Sequence, residues 1–312
     1  MNKPITPRVN ILLSTYNGEQ FIVEQLDSLF SQTYCNIAIH IRDDGSTDRT
    51  VDIITAHPRY NELGSLDSGS NIGVVKSFLQ LAANNGQHDE LYAFCDQDDV
   101  WKPEKIARAV GHIMKRPEAD KVLYCSRLEY VDEDLTHLGY SPIPHQTGFG
   151  NAAMENIAIG CTSVFGETIR QRLLENSAEK MIMHDWWTYL TATAFGEVIY
   201  DDFASLQYRQ HSNTVTAWEP GYHKLRARSR DFLARLMRRE HKGLDSLNQA
   251  IGFIKAYPDT PNDTKQIVNT LLELRISGNL WQRFCYVTHP DVFRNDPMEN
   301  RALKMMILFG LH

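Results

Sequence analysis

Strand-length apolar segments alternate with helical periodicity through the first half of this 312-residue chain, and this alternation limits the fold more than any other feature of the sequence. The strand-length segments are residues 9–13, 37–41, 91–95 and 122–126. Between them, apolar residues recur at the three- and four-residue spacing of helices. This pattern is typical of a sheet whose strands are joined by covering helices. We therefore predict an α/β domain.

The pattern changes along the rest of the chain. Residues 157–165 and 197–200 are predicted to add later strands, whereas residues 132–151 are rich in Gly, Pro, His and Asp and are predicted to form an irregular excursion over a site. Further on, long charged helices replace the strands. We therefore predict an α/β domain over residues 1–217 and a helical carboxy-terminal region over residues 218–312.

Polar residues follow three of the predicted strands at the point where each strand ends. Open α/β sheets bind their ligands at the carboxyl ends of the strands. The three polar segments are Ser14-Thr15-Tyr16-Asn17, Asp43-Asp44-Gly45-Ser46 and Asp96-Gln97-Asp98-Asp99. Their coincidence at strand ends predicts a functional site at this edge of the sheet.

The third segment places three carboxylates within four residues of a buried strand end. Their mutual repulsion would raise their pKa values unless a cation compensates. Hard divalent ions such as Mg²⁺ and Mn²⁺ favour oxygen ligands and are commonly shared with phosphate oxygens. The segment therefore predicts a Mg²⁺ or Mn²⁺ site that bridges a diphosphate. The alternative is a helix cap, because an acid before the helix that starts near Pro103 interacts well with the helix dipole.

Two further acids are candidate ligands or catalysts. Asp44 is placed to accept hydrogen bonds from a pyrimidine imide or a ribose hydroxyl, and the alternative is a simple turn. Asp185 lies among His184, Trp186 and Trp187. Aromatic rings such as these can pack on sugars, and partial desolvation can raise the pKa of a carboxyl group enough for it to act as a general base. The alternative is that Asp185 caps a helix whose Trp side chains enter the core.

Arg209 and His211 follow another predicted strand and provide one cation and one imidazole. Either side chain suits a diphosphate or its metal ion. The alternative for His211 is a structural role in the fold.

Composition excludes several classes of function. The chain has 32 Lys and Arg against 39 Asp and Glu, and its net charge of −7 gives no support for a nucleic-acid partner. Its five cysteines are scattered without CxxC spacing, which indicates reduced thiols rather than disulfides or a zinc site. No segment approaches the roughly 20 apolar residues of a membrane span, and the first eight residues lack a signal-peptide core, so a cytoplasmic location is expected.

The ordered set of motifs resembles the family 2 glycosyltransferases of the GT-A fold, which transfer sugars from nucleoside diphosphates. The resemblance covers about residues 8–215. It is carried by Ser14-Thr15-Tyr16-Asn17-Gly18, Asp43-Asp44-Gly45-Ser46-Thr47-Asp48, Asn71-Ile72-Gly73, Asp96-Gln97-Asp98-Asp99-Val100-Trp101 and His184-Asp185. It implies an α/β fold with a mixed, mostly parallel sheet flanked by helices and a carboxy-terminal helical extension.

The resemblance also implies a role for each matching residue. The implied ligands of the nucleotide-sugar are Ser14, Thr15, Tyr16, Asp44, Asp96, Gln97, Asp98 and Arg209. The implied ligands of Mg²⁺ or Mn²⁺ are Asp98, Asp99 and His211, and which two of the neighbouring acids contact the metal stays open. Asp185 matches the base that activates the acceptor. The residues implied at the acceptor are His184, Trp186 and Trp187.

The segments around Asp96, Asp185 and His211 look most like those of bacterial rhamnosyltransferases that build surface polysaccharides. This likeness implies an inverting transfer from dTDP-L-rhamnose, ahead of UDP-sugars, to a free or lipid-linked glycan. Two alternatives stay open. A sugar-phosphate nucleotidyltransferase usually has a basic Gly-rich loop after the first strand, whereas residues 14–19 have no Lys or Arg. The other alternative is a non-catalytic module that binds nucleotide-sugars or glycans.

The carboxy-terminal region contains two segments with open interpretations. Residues 222–242 interleave basic and apolar side chains, so they suit either a helix lying on an anionic membrane, where a lipid-linked acceptor resides, or a solvated helix packed on the domain. The apolar residues 303–311 are too few to span a bilayer. They are expected to dock internally, to form a homodimer or to enter the membrane interface.

Overall fold

The computed structural model describes residues 6–86, 90–175, 181–211 and 245–311. These residues divide into two compact units. The first unit contains residues 6–143 and 157–211, and the second contains residues 144–156 and 245–311. The predicted boundary between residues 217 and 218 and the predicted basic helix over residues 222–242 lie outside the described residues.

The first unit is built on a mixed sheet that has nine strands among the described residues. The strands are β1 (Val9–Thr15), β2 (Ile37–Asp43), β3 (Ser65–Ser68), β4 (Leu91–Cys95), β5 (Val100–Trp101), β6 (Val122–Val131), β7 (His137–Tyr140), β8 (Val164–Gly166) and β9 (Glu197–Arg209). Their order is β3-β2-β1-β4-β8-β6-β9-β5, and β7 pairs with the far end of β6.

Parallel pairing joins the first four strands of this sheet, and both kinds of pairing occur around β6 and β9. Strands β3, β2, β1 and β4 are parallel to their neighbours, as are β6 and β9. Strand β8 is antiparallel to both β4 and β6, so it joins the two parallel groups. The predicted mixed sheet flanked by helices is confirmed.

Helices cover this sheet and form the second unit. The helices of the first unit are α1 (Ile22–Phe30), α2 (Thr50–Ala56), α3 (Val74–Asn84), α4 (Lys105–Ile113), α6 (Glu167–Leu174) and α7 (His184–Phe195). The helices described in the second unit are α5 (Phe149–Ala152), α8 (Asp245–Ala256), α9 (Asn262–Ile276), α10 (Leu280–Thr288) and α11 (Pro297–Phe309). Among the described helices, none is long and apolar enough to cross a membrane.

Burial explains why the apolar segments form these elements. Every residue of β4 is buried, as expected for a central strand that is covered on both faces. On α1, the buried residues Ile22, Leu26 and Leu29 recur every three or four positions, and they enter the same core as Ile11 of β1.

Two sequence predictions in this region differ from the structure. The predicted strand over residues 157–165 contains a 3₁₀ turn, Gly160–Thr162, and only its end belongs to β8. The Ser163 amide donates to the carbonyl oxygen of Gly160 at 2.9 Å, so the chain turns here instead of extending. The predicted irregular excursion over residues 132–151 includes β7 and the start of α5.

Candidate active site

Three strand ends meet at one edge of the sheet in the first unit. Strand β1 lies between β2 and β4, with Thr15 opposite Asp43 and Leu13 opposite Cys95. The loops beyond these ends are joined, because the Tyr16 amide donates to Oε1 of Gln97 at 2.8 Å and Nε2 of Gln97 donates to the Tyr16 carbonyl at 3.0 Å. The structure thus brings together the three polar segments that the sequence singles out.

Asp44 ties the second strand end to the loop before α3. Its carboxylate accepts hydrogen bonds from the amides of Ile72 and Gly73 at 2.8 and 2.9 Å, and it pairs with Arg42 at 2.6 Å. Its own amide donates to the Thr15 carbonyl at 2.8 Å. The Asn71-Ile72-Gly73 motif is therefore held in place by Asp44.

Asp43 is a structural acid that the sequence reasoning missed as an individual residue. Its carboxylate accepts from the Thr15 hydroxyl at 3.1 Å and from the Ser46 amide at 2.9 Å. The hydroxyl of Ser14 instead lies 2.6 Å from that of Ser77 on α3. Of the β1 end residues, Tyr16 has the ring that reaches solvent, with 47% of the residue exposed.

A buried acidic cluster follows β4. One oxygen of Asp96, one oxygen of Asp99 and the sulfur of Cys161 all lie within 4.8 Å of one another. Burial, followed by the charges of Asp98 and Asp185, raises the pKa of Asp96 to about 7. Burial and the charge of Asp98 likewise raise the pKa of Asp99 well above its usual range. Unscreened repulsion among carboxylates at this strand end is what a bound cation would relieve.

The residues present fit a hard divalent ion. Oδ2 of Asp99 is buried and has no hydrogen-bond partner among the described residues. Asp98, the next acid, lies 2.7 Å from Nε2 of His211, so two of the predicted metal ligands are adjacent. A set of carboxylate oxygens with one imidazole suits Mg²⁺ or Mn²⁺. The structure differs from the prediction in placing Cys161 beside Asp96 and Asp99.

Asp185 lies at the start of α7, close to this cluster. Its Oδ2 accepts from the Gly160 amide at 2.9 Å and its Oδ1 accepts from the Trp186 amide at 2.6 Å. The Gly160 amide belongs to the same 3₁₀ turn as Cys161, whose sulfur lies within 4.8 Å of oxygens of Asp96 and Asp99, so Asp185 lies near this cluster.

Two of the three residues predicted at the acceptor are buried in the core. Trp187 is fully buried, because α7 turns its side chain away from the edge that Asp185 occupies. His184 stacks on Phe78 at 4.1 Å and meets the edge of Phe94 at 4.6 Å, and both of its ring nitrogens lack hydrogen-bond partners among the described residues. Both side chains therefore have packing roles in this structure. Trp186 is partly exposed.

Arg209 is also placed differently from its prediction as a ligand of the nucleotide-sugar. Its guanidinium is buried, with Nε donating to the Asp98 carbonyl at 2.9 Å. The other nitrogens bind the Glu133 carbonyl and the carboxylate of Glu24 on α1, and the group lies 4.4 Å from the ring centroid of Phe21. The guanidinium thus faces protein oxygens.

Lys105 and Cys161 are site neighbours that sequence reasoning missed. Nζ of Lys105 is buried and donates to the Cys161 carbonyl at 2.7 Å, and burial lowers the pKa of Lys105 to about 8. Lys105 follows Pro103 at the start of α4, so its sequence context indicates only a helix terminus. The antiparallel insertion of β8 brings Cys161 to the site, and no local pattern signals that insertion.

Comparison with known proteins gives matches over more than half of this chain. A family model described as Glycosyl transferase family 2 matches residues 10–176. The dTDP-rhamnosyl transferase RfbG of Shigella flexneri is 30% identical over 64% of this chain and 72% of that protein. The UDP-Glc:alpha-D-GlcNAc-diphosphoundecaprenol beta-1,3-glucosyltransferase WfaP of Escherichia coli is 28% identical over 67% of this chain and 80% of that protein.

Solved structures share the architecture. The structure of S. aureus TarS 1-349 in complex with UDP has a TM-score of 0.57 at 15% identity and covers 97% of this chain and 87% of that chain. The mannosyltransferase PcManGT from Pyrobaculum calidifontis, in complex with GDP-Man and Mn²⁺, has a TM-score of 0.51 at 17% identity, over 99% of this chain and 86% of that chain. At these identities the likeness establishes the fold alone.

Proposed function

The chain belongs to glycosyl transferase family 2 and is a glycosyltransferase of the GT-A fold, and from this premise we propose that it transfers L-rhamnose from dTDP-L-rhamnose. The proposed acceptor is a hydroxyl of a growing cell-surface polysaccharide. The 30% identity with RfbG, whose name specifies dTDP-rhamnosyl transfer, supports this donor. UDP-sugars are the next candidates, in line with the name of WfaP.

One observation carries the transferase mechanism. Asp185 accepts from the amide of Gly160, the residue before Cys161, and the Cys161 sulfur lies within 4.8 Å of oxygens of Asp96 and Asp99, although these residues are far apart in sequence. The strand ends that are proposed to bind the diphosphate and the carboxylate of Asp185 therefore border the same part of the site. That is the arrangement required for a donor and an acceptor to meet.

We assign the donor to the three strand ends. Thr15, Tyr16 and Asp44 are proposed to bind the nucleoside, with the exposed ring of Tyr16 against the base. Asp98, Asp99 and His211 are proposed to hold Mg²⁺ or Mn²⁺. When bound, such an ion supplies Lewis-acid neutralisation of the departing diphosphate, which typically contributes several kcal/mol. Arg209 acts through Asp98 in this proposal and does not touch the donor.

Asp185 is the proposed general base. It takes the proton of the acceptor hydroxyl while that oxygen attacks the anomeric carbon, so the configuration at that carbon inverts. The amides of Gly160 and Trp186 fix the orientation of the carboxylate. The partly exposed ring of Trp186 provides an apolar wall for the acceptor sugar.

Asp185→Asn tests this assignment. General-base catalysis typically supplies 10²–10⁴-fold, so we expect turnover to fall by at least about a hundredfold while nucleotide affinity stays nearly unchanged. Steady-state transfer rates and calorimetric titration with the nucleotide measure the two quantities. Asp202→Asn, at an exposed position of β9, is the matched control. Turnover that survives in Asp185→Asn would exclude Asp185 as the base.

Thermal shifts with a panel of nucleotide-sugars, with and without Mn²⁺, test the donor. A ligand that binds only the native state raises the melting temperature by mass action. We expect dTDP-L-rhamnose to give the largest shift and to require Mn²⁺. A larger shift with a UDP-sugar would reassign the donor, and metal-independent shifts would contradict the proposed cofactor.

The proposed acceptor is lipid-linked. The name of WfaP specifies a diphosphoundecaprenol-linked acceptor. In this chain, α10 has no buried residue and exposes Leu280, Trp281 and Phe284. Exposed aromatic residues of this kind favour the membrane interface, where a lipid-linked glycan resides.

A further inference from the structure

Cys161 lies inside the proposed active site but has no part in the transfer reaction described above. It is fully buried in the 3₁₀ turn before β8. The backbone on both sides of its side chain is fixed, because the preceding Gly160 amide donates to Asp185 at 2.9 Å and the Cys161 carbonyl accepts from Lys105 at 2.7 Å. The thiol therefore has a defined position.

The thiol faces the carboxyl groups of Asp96 and Asp99 and is a hydrogen-bond partner of both. The Cys161 sulfur and one oxygen each of Asp96 and Asp99 lie within 4.8 Å of one another. Asp99 is 1% exposed, and its Oδ2 lacks a hydrogen-bond partner among the described residues. Asp96 is partly exposed, so the three ligand atoms lie close to solvent at the carboxyl ends of the strands.

The Cys161 sulfur changes which metal ions the three ligand atoms of Asp96, Asp99 and Cys161 prefer. Mg²⁺ and Mn²⁺ favour oxygen ligands, whereas Zn²⁺ binds thiolate strongly and accepts carboxylate as well. When the metal–sulfur bond forms, the S–H bond breaks and its proton passes to solvent. Two carboxylates and one thiolate then surround the cation.

We propose that Asp96, Asp99 and Cys161 bind Zn²⁺ as an inhibitory ion. Because Asp99 is also a proposed ligand of the activating ion, Zn²⁺ bound through Cys161 competes with Mg²⁺ or Mn²⁺. The competition rests on the proposed function, whereas the binding of Zn²⁺ at Cys161 does not. The site thus discriminates between divalent ions by means of one sulfur atom.

The test uses Cd²⁺ as a spectroscopic probe of the thiolate and Zn²⁺ for affinity. Cys35 and Cys285 are exposed, so the full chain with Cys35→Ser and Cys285→Ser is the background. We expect a Cd²⁺–thiolate charge-transfer band in this background and its loss in Cys161→Ser. Calorimetric Zn²⁺ affinity should fall by at least about tenfold, because even residues that only support a metal ligand contribute 10–100-fold.

Cys125→Ser is the matched control, since Cys125 is also buried but lies on β6. It should retain both the band and the affinity. Cys161→Ala is a second variant, and circular dichroism checks that each variant is folded. A band of equal intensity in folded Cys161→Ser or Cys161→Ala would overturn the proposal. Mn²⁺-stimulated transfer measured without Zn²⁺ tests the proposed function separately.

Discussion

The carboxylates of this site differ in how many donors the fold gives them. Asp44 accepts from two amides and one guanidinium, and these bonds hold the loop before α3 beside the proposed nucleoside site. Asp99 accepts from the Arg209 amide at 3.4 Å and from the Cys161 thiol, and its Oδ2 has no hydrogen-bond partner among the described residues. Burying a carboxylate with an unpartnered oxygen costs free energy unless a bound cation compensates its charge.

His184 gives a pH-dependent prediction at the same scale. Burial lowers its pKa to about 3, from an ordinary value of 6.5. Between these values the unfolded chain binds more protons than the native one, so the contribution of His184 to stability is full above about pH 6.5 and is lost as the pH falls. At about pH 5 the loss amounts to about 2 kcal/mol.

We therefore expect His184→Phe to reduce the acid sensitivity of folding. Phenylalanine fits an aromatic site against Phe78 and Phe94 without a titrating group. Urea unfolding at about pH 7.5 and about pH 5 measures the free energy of unfolding. The wild type should lose about 2 kcal/mol more than the variant between the two conditions. Burial also lowers the pKa of His40, but His40 is present in both proteins, so its contribution cancels in the comparison. Equal losses of unfolding free energy in the wild type and the variant would contradict the prediction.

At the scale of elements, the end of β9 connects parts of the site that come from distant segments. Arg209 binds the Asp98 carbonyl, the Glu133 carbonyl and Glu24 of α1. His211, two residues later, lies beside Asp98, and its ring is 5.3 Å from that of Phe21. The position of the proposed metal ligands thus depends on how β9 ends.

Arg209→Gln should raise the Mn²⁺ concentration required for half-maximal transfer by about tenfold, because residues that orient metal ligands typically contribute 10–100-fold to metal affinity. Nucleotide affinity without metal should change little. Arg209→Lys should restore part of the Mn²⁺ affinity, since it retains the charge. Glu24→Gln, which alters only the half-exposed partner, is the matched control. A fall in turnover with unchanged Mn²⁺ dependence would show that Arg209 does not position the metal ligands.

At the scale of the whole molecule, the net charge of −7 opposes adsorption to an anionic membrane, so membrane binding needs a local apolar surface. The second unit has one on α10 and the end of α11. Trp281 and Phe284 stack at 5.8 Å, Arg283 lies beside Gly310 at the end of α11, and the preceding Phe309 is exposed. This surface suits insertion at the interface.

Trp281→Ser combined with Phe284→Ser should weaken binding to vesicles by at least about tenfold, because burial of one large apolar side chain contributes about 1.5–3 kcal/mol. Sedimentation with phosphatidylglycerol-containing vesicles measures the binding. Met298→Ser, at the other end of α11, is the control. Unchanged binding would exclude this surface as the membrane contact. A monomer–dimer shift of the double variant in analytical ultracentrifugation would instead identify a homodimer interface.

The strand–helix alternation and the position of the polar strand ends could be predicted from the amino-acid sequence. These features depend on local periodicity, since a buried parallel strand needs a continuous apolar segment and its end must return to solvent. The segments over residues 91–95 and around Asp44 and Asp96 are where the sequence predicted them. The proximity of the three strand ends follows from parallel pairing, and the structure has it.

Which side chains face the site depends on packing between elements and could not be predicted. Trp187 and His184 adjoin Asp185 in sequence, yet the rotation of α7 against the sheet buries both of them. Cys161 reaches Asp96 because β8 inserts antiparallel between β4 and β6, and Arg209 is drawn inward by carbonyl oxygens from two separate loops. These outcomes depend on packing between distant segments, and periodicity within a short window carries no information about such packing.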